Sequence, residues 1–206
     1  PKTVRDTLAV VHSVLGYAQT QEPGLRAVKI LYPKGNRREM RVLSREEQRR
    51  LTAYLLTDTD ECKFGTLMAL LTGLRIGEIC ALRWGDISLS ERTLTVSYTM
   101  LRLQNFGGGA EEKTRVILAE PKTGTSARVI PLTEFVAGLC LRFRVSNPEA
   151  FLLTGESDRY IEPRTLQYRL KKYTEDCGLA GVNFHALRHT FATRCVEVGF
   201  EIKSLS

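Results

Sequence analysis

The sequence predicts an α+β fold that is mainly α-helical and carries a small antiparallel β-sheet. Three observations predict it: apolar residues recur at helical spacing toward both ends of the 206-residue chain, short strand-like runs cluster at positions 93–131, and Gly- and Pro-rich turns separate those runs. Val4, Leu8, Val11, Leu15 and Ala18 give a first helix over 3–19, which opens beside Pro1 and closes before Glu22-Pro23-Gly24. Residues 21–43, with Pro23, Gly24, Pro33 and Gly35, read as a linker, so the apolar stripe of the first helix is expected to belong to a separate domain. Ser44-Arg45-Glu46-Glu47 has the capping-box pattern and starts a helix running to Leu56. An apolar helix over 62–72 is interrupted by Gly73, and helical character resumes from Ile76 to Leu82 before a turn at Trp84-Gly85-Asp86. Thr93–Val96 is strand-like, and Gly107-Gly108-Gly109 marks a loop or hairpin tip. Arg115–Leu118 and Arg128–Pro131 read as two strands joined around Pro121-Lys122-Thr123-Gly124-Thr125. Helices over 133–144, 163–177 and 185–198 follow, with Phe151–Leu153 a short strand and Gly199 a C-cap. The expected organisation is a terminal helix at 1–20, a basic linker at 21–43 and the principal domain at 44–206.

Thirty Lys and Arg against 23 Asp and Glu give a net charge of +7, which suits a polyanionic partner. The excess is local: residues 1–50 hold eleven basic and five acidic side chains, the remainder nineteen and eighteen. Arg37, Arg38 and Arg41, with Arg45, Arg49 and Arg50 beyond them, form a stretch able to follow a phosphate backbone, or simply a solvated charged surface. Five widely spaced cysteines without a C-x-x-C pair support neither a disulfide framework nor a zinc knuckle, and a reducing cytoplasm fits them best. No apolar run approaches the roughly 18 residues of a membrane span, and no signal-peptide pattern opens the chain.

Two segments carry chemistry. In Phe184-His185-Ala186-Leu187-Arg188-His189-Thr190-Phe191-Ala192, helical spacing puts His185, Arg188 and His189 on one face and Leu187, Phe191, Cys195 and Val198 on another. Two imidazoles at i and i+4 are also compatible with plain polar surface; a zinc site is disfavoured because the only other histidine is His12 and the intervening arginine repels a cation. In Leu71-Thr72-Gly73-Leu74-Arg75-Ile76-Gly77-Glu78-Ile79 an arginine interrupts an apolar stretch between two glycines, and such an arginine needs a partner or a ligand. Glu78 is the nearest partner, either orienting Arg75 for a ligand or forming a purely structural pair with it.

Thr72-Gly73-Leu74-Arg75-Ile76-Gly77-Glu78, followed by Leu82-Arg83-Trp84-Gly85-Asp86-Ile87, resembles the first motif of tyrosine site-specific recombinases of the phage integrase type. His185-Ala186-Leu187-Arg188-His189-Thr190-Phe191-Ala192-Thr193 resembles their second motif. Pro121-Lys122-Thr123-Gly124-Thr125-Ser126-Ala127-Arg128-Val129-Ile130-Pro131-Leu132 is similar to the hairpin carrying the family's catalytic lysine, and the Gly-rich insertion before it resembles integrases of conjugative transposons.

The resemblance implies a recombinase catalytic core with its antiparallel sheet on one edge. It makes residues 1–20 the terminal helix of a core-binding domain. It implies a reaction without metal or cofactor, in which a tyrosine attacks a DNA phosphodiester to give a 3′-phosphotyrosyl link and a free 5′-hydroxyl. Arg75 and Arg188 would clamp the scissile phosphate, since guanidinium forks stay protonated and bind paired oxygens. Lys122, otherwise an ordinary turn lysine, would be the general acid for the leaving 5′-oxygen, and His185 a base or proton shuttle. Glu78 and His189 would support them. Arg37, Arg38, Arg41 and Lys122 would meet DNA.

The implied partners are double-stranded DNA and further copies of the protein, as a tetramer on paired sites, in a bacterial cytoplasm at the nucleoid and away from any membrane. The sequence departs from the family pattern at its end. All seven tyrosines precede Arg188, so the nucleophile is expected to be absent from these residues. A non-catalytic DNA-binding relative and a type IB topoisomerase are the alternatives.

Overall fold

A computed structural model of the chain describes residues 2–22, 24–26, 28–33, 40–105, 114–120 and 128–200. The chain divides into two compact units, Pro1–Glu39 and Met40–Ser206. The first unit is built on helix α1 (Lys2–Gln21), with His12 Nδ1 and Tyr32 Oη 3.1 Å apart. Val4, Val10, Val11, Val14 and Tyr17 on this helix are exposed.

The second unit is organised around α3 (Glu61–Thr72), which is apolar on all sides and therefore central: Phe64, Leu67, Met68 and Ala69 are fully buried. Helices α2 (Arg45–Leu56), α4 (Ile76–Ala81), α6 (Pro163–Asp176) and α7 (Phe184–Glu197) pack against it. Helix α5 (Glu134–Phe143) adds Val136, Leu139 and Cys140 to the same core, and Phe143 stacks on Phe64. The expected capping box starts α2: Ser44 Oγ accepts from the Glu47 amide at 3.1 Å and Glu47 accepts from the Ser44 amide at 2.8 Å. Asp60 and Asn183 cap α3 and α7 in the same sense. No described helix is long and apolar enough to cross a membrane.

The strands lie between α4 and α5, and their pairing corrects the expected hairpin. A three-stranded antiparallel sheet has the order β1 (Ile87–Ser88), β2 (Thr93–Val96), β5 (Arg128–Pro131), with Leu94 opposite Ile130 and Val96 opposite Arg128. A separate antiparallel pair joins β3 (Thr99–Gln104) to β4 (Thr114–Ala119). Residues 115–118 therefore pair backwards with β3, not forwards with β5. The buried positions explain the choice, since Leu94 and Val96 of β2 alternate into the core and need the inward Ile130 of β5 beside them. Strand β3 buries only Met100 and leaves Leu101 and Leu103 exposed, so its apolar residues do not mark a core-facing side. Phe151–Leu153 forms no strand, only a single bridge between Phe151 and Arg83. On α7 the buried residues are Phe184, Ala186, Leu187 and Thr190, while Val198, expected on the packing face, is exposed beyond the last turn. Thr190 replaces it as an anchor, because its hydroxyl accepts from the Leu43 amide at 2.9 Å.

The contact of α4 with β3 sets the position of the residues described next. A Cβ on Gly77 would lie 2.6 Å from Thr99 Oγ1 and 2.7 Å from the Met100 carbonyl oxygen, so no other residue fits without moving the helix from the strand. Gly77→Ala is expected to cost about 2 kcal/mol of stability, read from the urea midpoint at constant m-value. An unchanged midpoint would show that α4 shifts freely.

Candidate active site

The packing of α7 against α3 brings the two chemical segments together. Gly73 ends α3 in the left-handed conformation (φ +67°), its amide bonding back to the Ala69 carbonyl at 3.0 Å. A Cβ there would meet the Phe191 ring at 2.4 Å, so the glycine allows α7 to lie directly against the α3–α4 junction. That approach has a polar consequence: Arg188 Nη1 donates to the Gly73 carbonyl oxygen at 2.5 Å. The arginine of the second motif is thus held by the backbone of the first.

Arg75 is the residue from which α4 starts, in an extended conformation that sends its side chain outward, 55% exposed. Glu78, one turn later, is buried and accepts four hydrogen bonds. Its Oε1 takes Arg75 Nη1 at 2.9 Å and Arg128 Nη1 at 3.0 Å; its Oε2 takes the Arg75 amide at 2.8 Å and Arg128 Nη2 at 2.7 Å. Burial alone would raise the Glu78 pKa, but the Arg128 hydrogen bonds, the Arg75 amide and the nearby guanidinium charges outweigh it and hold the carboxyl below its ordinary 4.5. Arg188 is pulled the other way: burial, then the like charges of Arg75 and Arg128, lower its pKa, with Glu78 offsetting only part of this. Three guanidiniums around one carboxylate leave an excess of positive charge, which the 55% exposed Arg75 carries to the surface. Such a site favours an anion.

His185 lies in the first turn of α7 and is exposed; His189 is half-buried. At i+3 and i+4 from His185, Arg188 and His189 flank it on one side of the helix. Lys122, Arg37 and Arg38 lie outside the described residues. Arg41 is engaged within the protein, donating to Glu47 at 2.5 Å and to the Val42 carbonyl at 2.7 Å. Among the described residues no three His, Cys, Asp or Glu side chains gather as a metal site requires. Two tyrosines are tied to carboxylates: Tyr54 donates to Asp176 at 2.5 Å, which pushes its pKa up to about 12, and burial with the charge of Asp60 raises that of Tyr173. A raised pKa is the reverse of what activates a phenol for attack.

Arg128 is the site residue that the motifs did not single out. A signal for it exists: Arg128 and Ile130 alternate onto the same face of β5, and Ile130 packs against the core. A charged residue in register with a core residue requires a buried counter-ion, and Glu78 supplies it.

Comparison with known proteins gives the family. The model of the phage integrase family matches residues 41–206. A XerC-like tyrosine recombinase of Caldanaerobacter subterraneus subsp. tengcongensis is 28% identical over 155 residues, covering 68% of this chain and 40% of that protein. The tyrosine recombinase XerA of Thermococcus onnurineus is 26% identical over 201 residues, covering 95% of this chain and 63% of that protein. The chain therefore spans between two-fifths and under two-thirds of these relatives. Among solved structures, the Tn1549 transposon integrase in complex with transposon right end DNA superposes with a TM-score of 0.76 at 20% identity, covering 99% of this chain and 69% of that one. The family match takes in α2 to α7, every strand, and all four arms of the Arg75–Glu78–Arg128–Arg188 cluster, and on it the chain belongs to the phage integrase family.

Proposed function

We propose that this chain supplies the catalytic domain of a site-specific DNA recombinase, an integrase that cuts and rejoins duplex DNA through a 3′-phosphotyrosyl intermediate to integrate or excise a mobile element. The observation that carries the reading is the guanidinium cluster, two members of which stand at the arginine positions of the two family motifs. When a tyrosine oxygen attacks phosphorus in line, negative charge grows on the non-bridging oxygens and calls for fixed positive donors beside them. Arg75 offers the N–H groups it does not spend on Glu78, and Arg188 offers those it does not spend on Gly73. As the bond to the 5′-oxygen breaks, that oxygen needs a proton; Lys122 is assigned as the donor. His185 takes the proton of the attacking phenol, with His189 in support and Glu78 orienting Arg75. The attacking tyrosine is assigned to none of the seven tyrosines of the chain.

Duplex DNA is the partner, met along its backbone by Arg37, Arg38, Arg41 and Lys122, and two paired sites call for a tetramer of the complete protein. A bacterial cytoplasm, at the nucleoid, is the corresponding location. The test is a library of nicked duplexes of random sequence, incubated with the complete gene product and separated in SDS. Protein-linked DNA that loses its protein label on protease treatment, with a free 5′-hydroxyl at the break, is the expected result. DNA binding with no SDS-resistant adduct would mark a non-catalytic relative. On a closed supercoiled plasmid, relaxation by a monomer without joining of two sites would mark a topoisomerase.

A further inference from the structure

We infer that Arg128 is a positioning residue for the phosphate site: by occupying one acceptor place on each oxygen of Glu78, it limits Arg75 to a single side-chain bond there and keeps the rest of the Arg75 guanidinium outward for a phosphodiester. The inference rests on the recombinase reading of the site and deepens it. An ionised carboxylate has about four acceptor positions. Glu78 has all four filled: two by Arg128, one by the Arg75 amide and one by Arg75 Nη1. A guanidinium carries five N–H groups, of which Arg75 gives Glu78 one. The rest of its 55% exposed side chain is open to a ligand.

Without Arg128, two acceptor positions on a buried carboxylate fall empty. Arg75 is the nearest cation able to fill them, and a fork-to-fork grip is the strongest arrangement the pair can adopt. Taking it turns the Arg75 fork inward and withdraws it from the phosphate. Arg128 itself is unsuited to being a phosphate contact, because both terminal nitrogens already face Glu78 and its side chain is only 29% exposed. Its place in β5, backbone-paired with Val96 of β2, fixes the fork from a sheet and not from a loop.

The side-chain Nε–Hε signals of Arg75, Arg128 and Arg188 in the nitrogen-15-labelled chain report on this directly, with inorganic phosphate as the titrant. In the wild type, Arg75 and Arg188 are expected to shift along one saturation curve while Arg128 stays still. R128M is expected to weaken phosphate binding about tenfold, and R128K, which keeps the charge but loses the fork, about threefold. In an E78Q background the same R128M change is expected to cost less than about twofold, because no carboxylate remains to draw Arg75 inward. Should R128M fail to fold, the R128K comparison in both backgrounds carries the test.

Movement of the Arg128 signal with phosphate, full affinity in R128K, or an equal loss with and without Glu78 would each overturn the inference, the last by making Arg128 a simple charge donor. If Arg75 and Arg188 of the wild type ignore phosphate, the recombinase reading of the site fails first.

Discussion

Replacing Arg188 by lysine in the complete gene product is expected to slow DNA strand cleavage by about 10²-fold or more while leaving the protein folded. The size follows from how the side chain is held. One nitrogen is committed to the Gly73 carbonyl at 2.5 Å, which aims the remaining N–H groups as a rigid fork. An ammonium is a point charge on a flexible stem, and it cannot hold that carbonyl and present a second, directed pair of donors together. Ground-state DNA binding, dominated by the many other phosphates of a duplex, should change little, so the loss falls on the rate of cleavage and not on affinity.

Stability separates this role from a structural one. In the absence of DNA the Arg188 cation is half-buried beside two like charges, and its pKa is lowered for those reasons. A side chain kept for packing would not sit in such surroundings. R188M is therefore expected to melt no lower than the wild type while losing cleavage entirely, and duplex DNA should raise the melting temperatures of both by similar amounts. A variant that loses cleavage only because it unfolds at the assay temperature would sink the assignment.

Much of this site is written in local sequence. Ser44 and Glu47 announce a helix start, and Gly73 announces a helix end, because each pattern has one backbone solution. The spacing of His185, Arg188 and His189 defines a common face as soon as the helix is granted. What local sequence does not carry is which strand lies beside which. Residues 115–118 are followed by a turn-forming segment, yet they pair with β3, and β5 crosses to β2. That decision is made by Leu94, Val96 and Ile130 seeking the same core, over sequence separations that periodicity cannot see. Arg128 was hidden for the same reason: its partner is fifty residues away, and only the register of β5 on β2 points its fork at Glu78. The packing face of α7 was also shifted, toward Thr190 and away from Val198, by a hydrogen bond to Leu43 that lies 147 residues distant.

Glu78 is where fold and site meet, and removing its charge is expected to cost more stability than any other single change in the cluster. Its side chain is 7% exposed and is the one carboxylate among the described residues to bond Arg75 and Arg128. Truncation to alanine strands two cations over a buried space, for which about 3 kcal/mol is a reasonable loss. Glutamine keeps the shape but can only accept on one side, so E78Q should lie between alanine and the wild type. The pH dependence gives the sharper signature. The folded pKa of Glu78 is held below the ordinary 4.5, so its contribution is complete above that value and disappears as pH falls through the folded pKa. Urea midpoints taken from pH 7 down to pH 3 should therefore show wild type and E78Q well apart at neutral pH and converging below pH 4.5. Parallel curves over the whole range would mean that the carboxylate is not what holds the cluster. Convergence, by contrast, would tie the stability of α4 and β5 to the same ionised oxygen pair that sets the aim of Arg75.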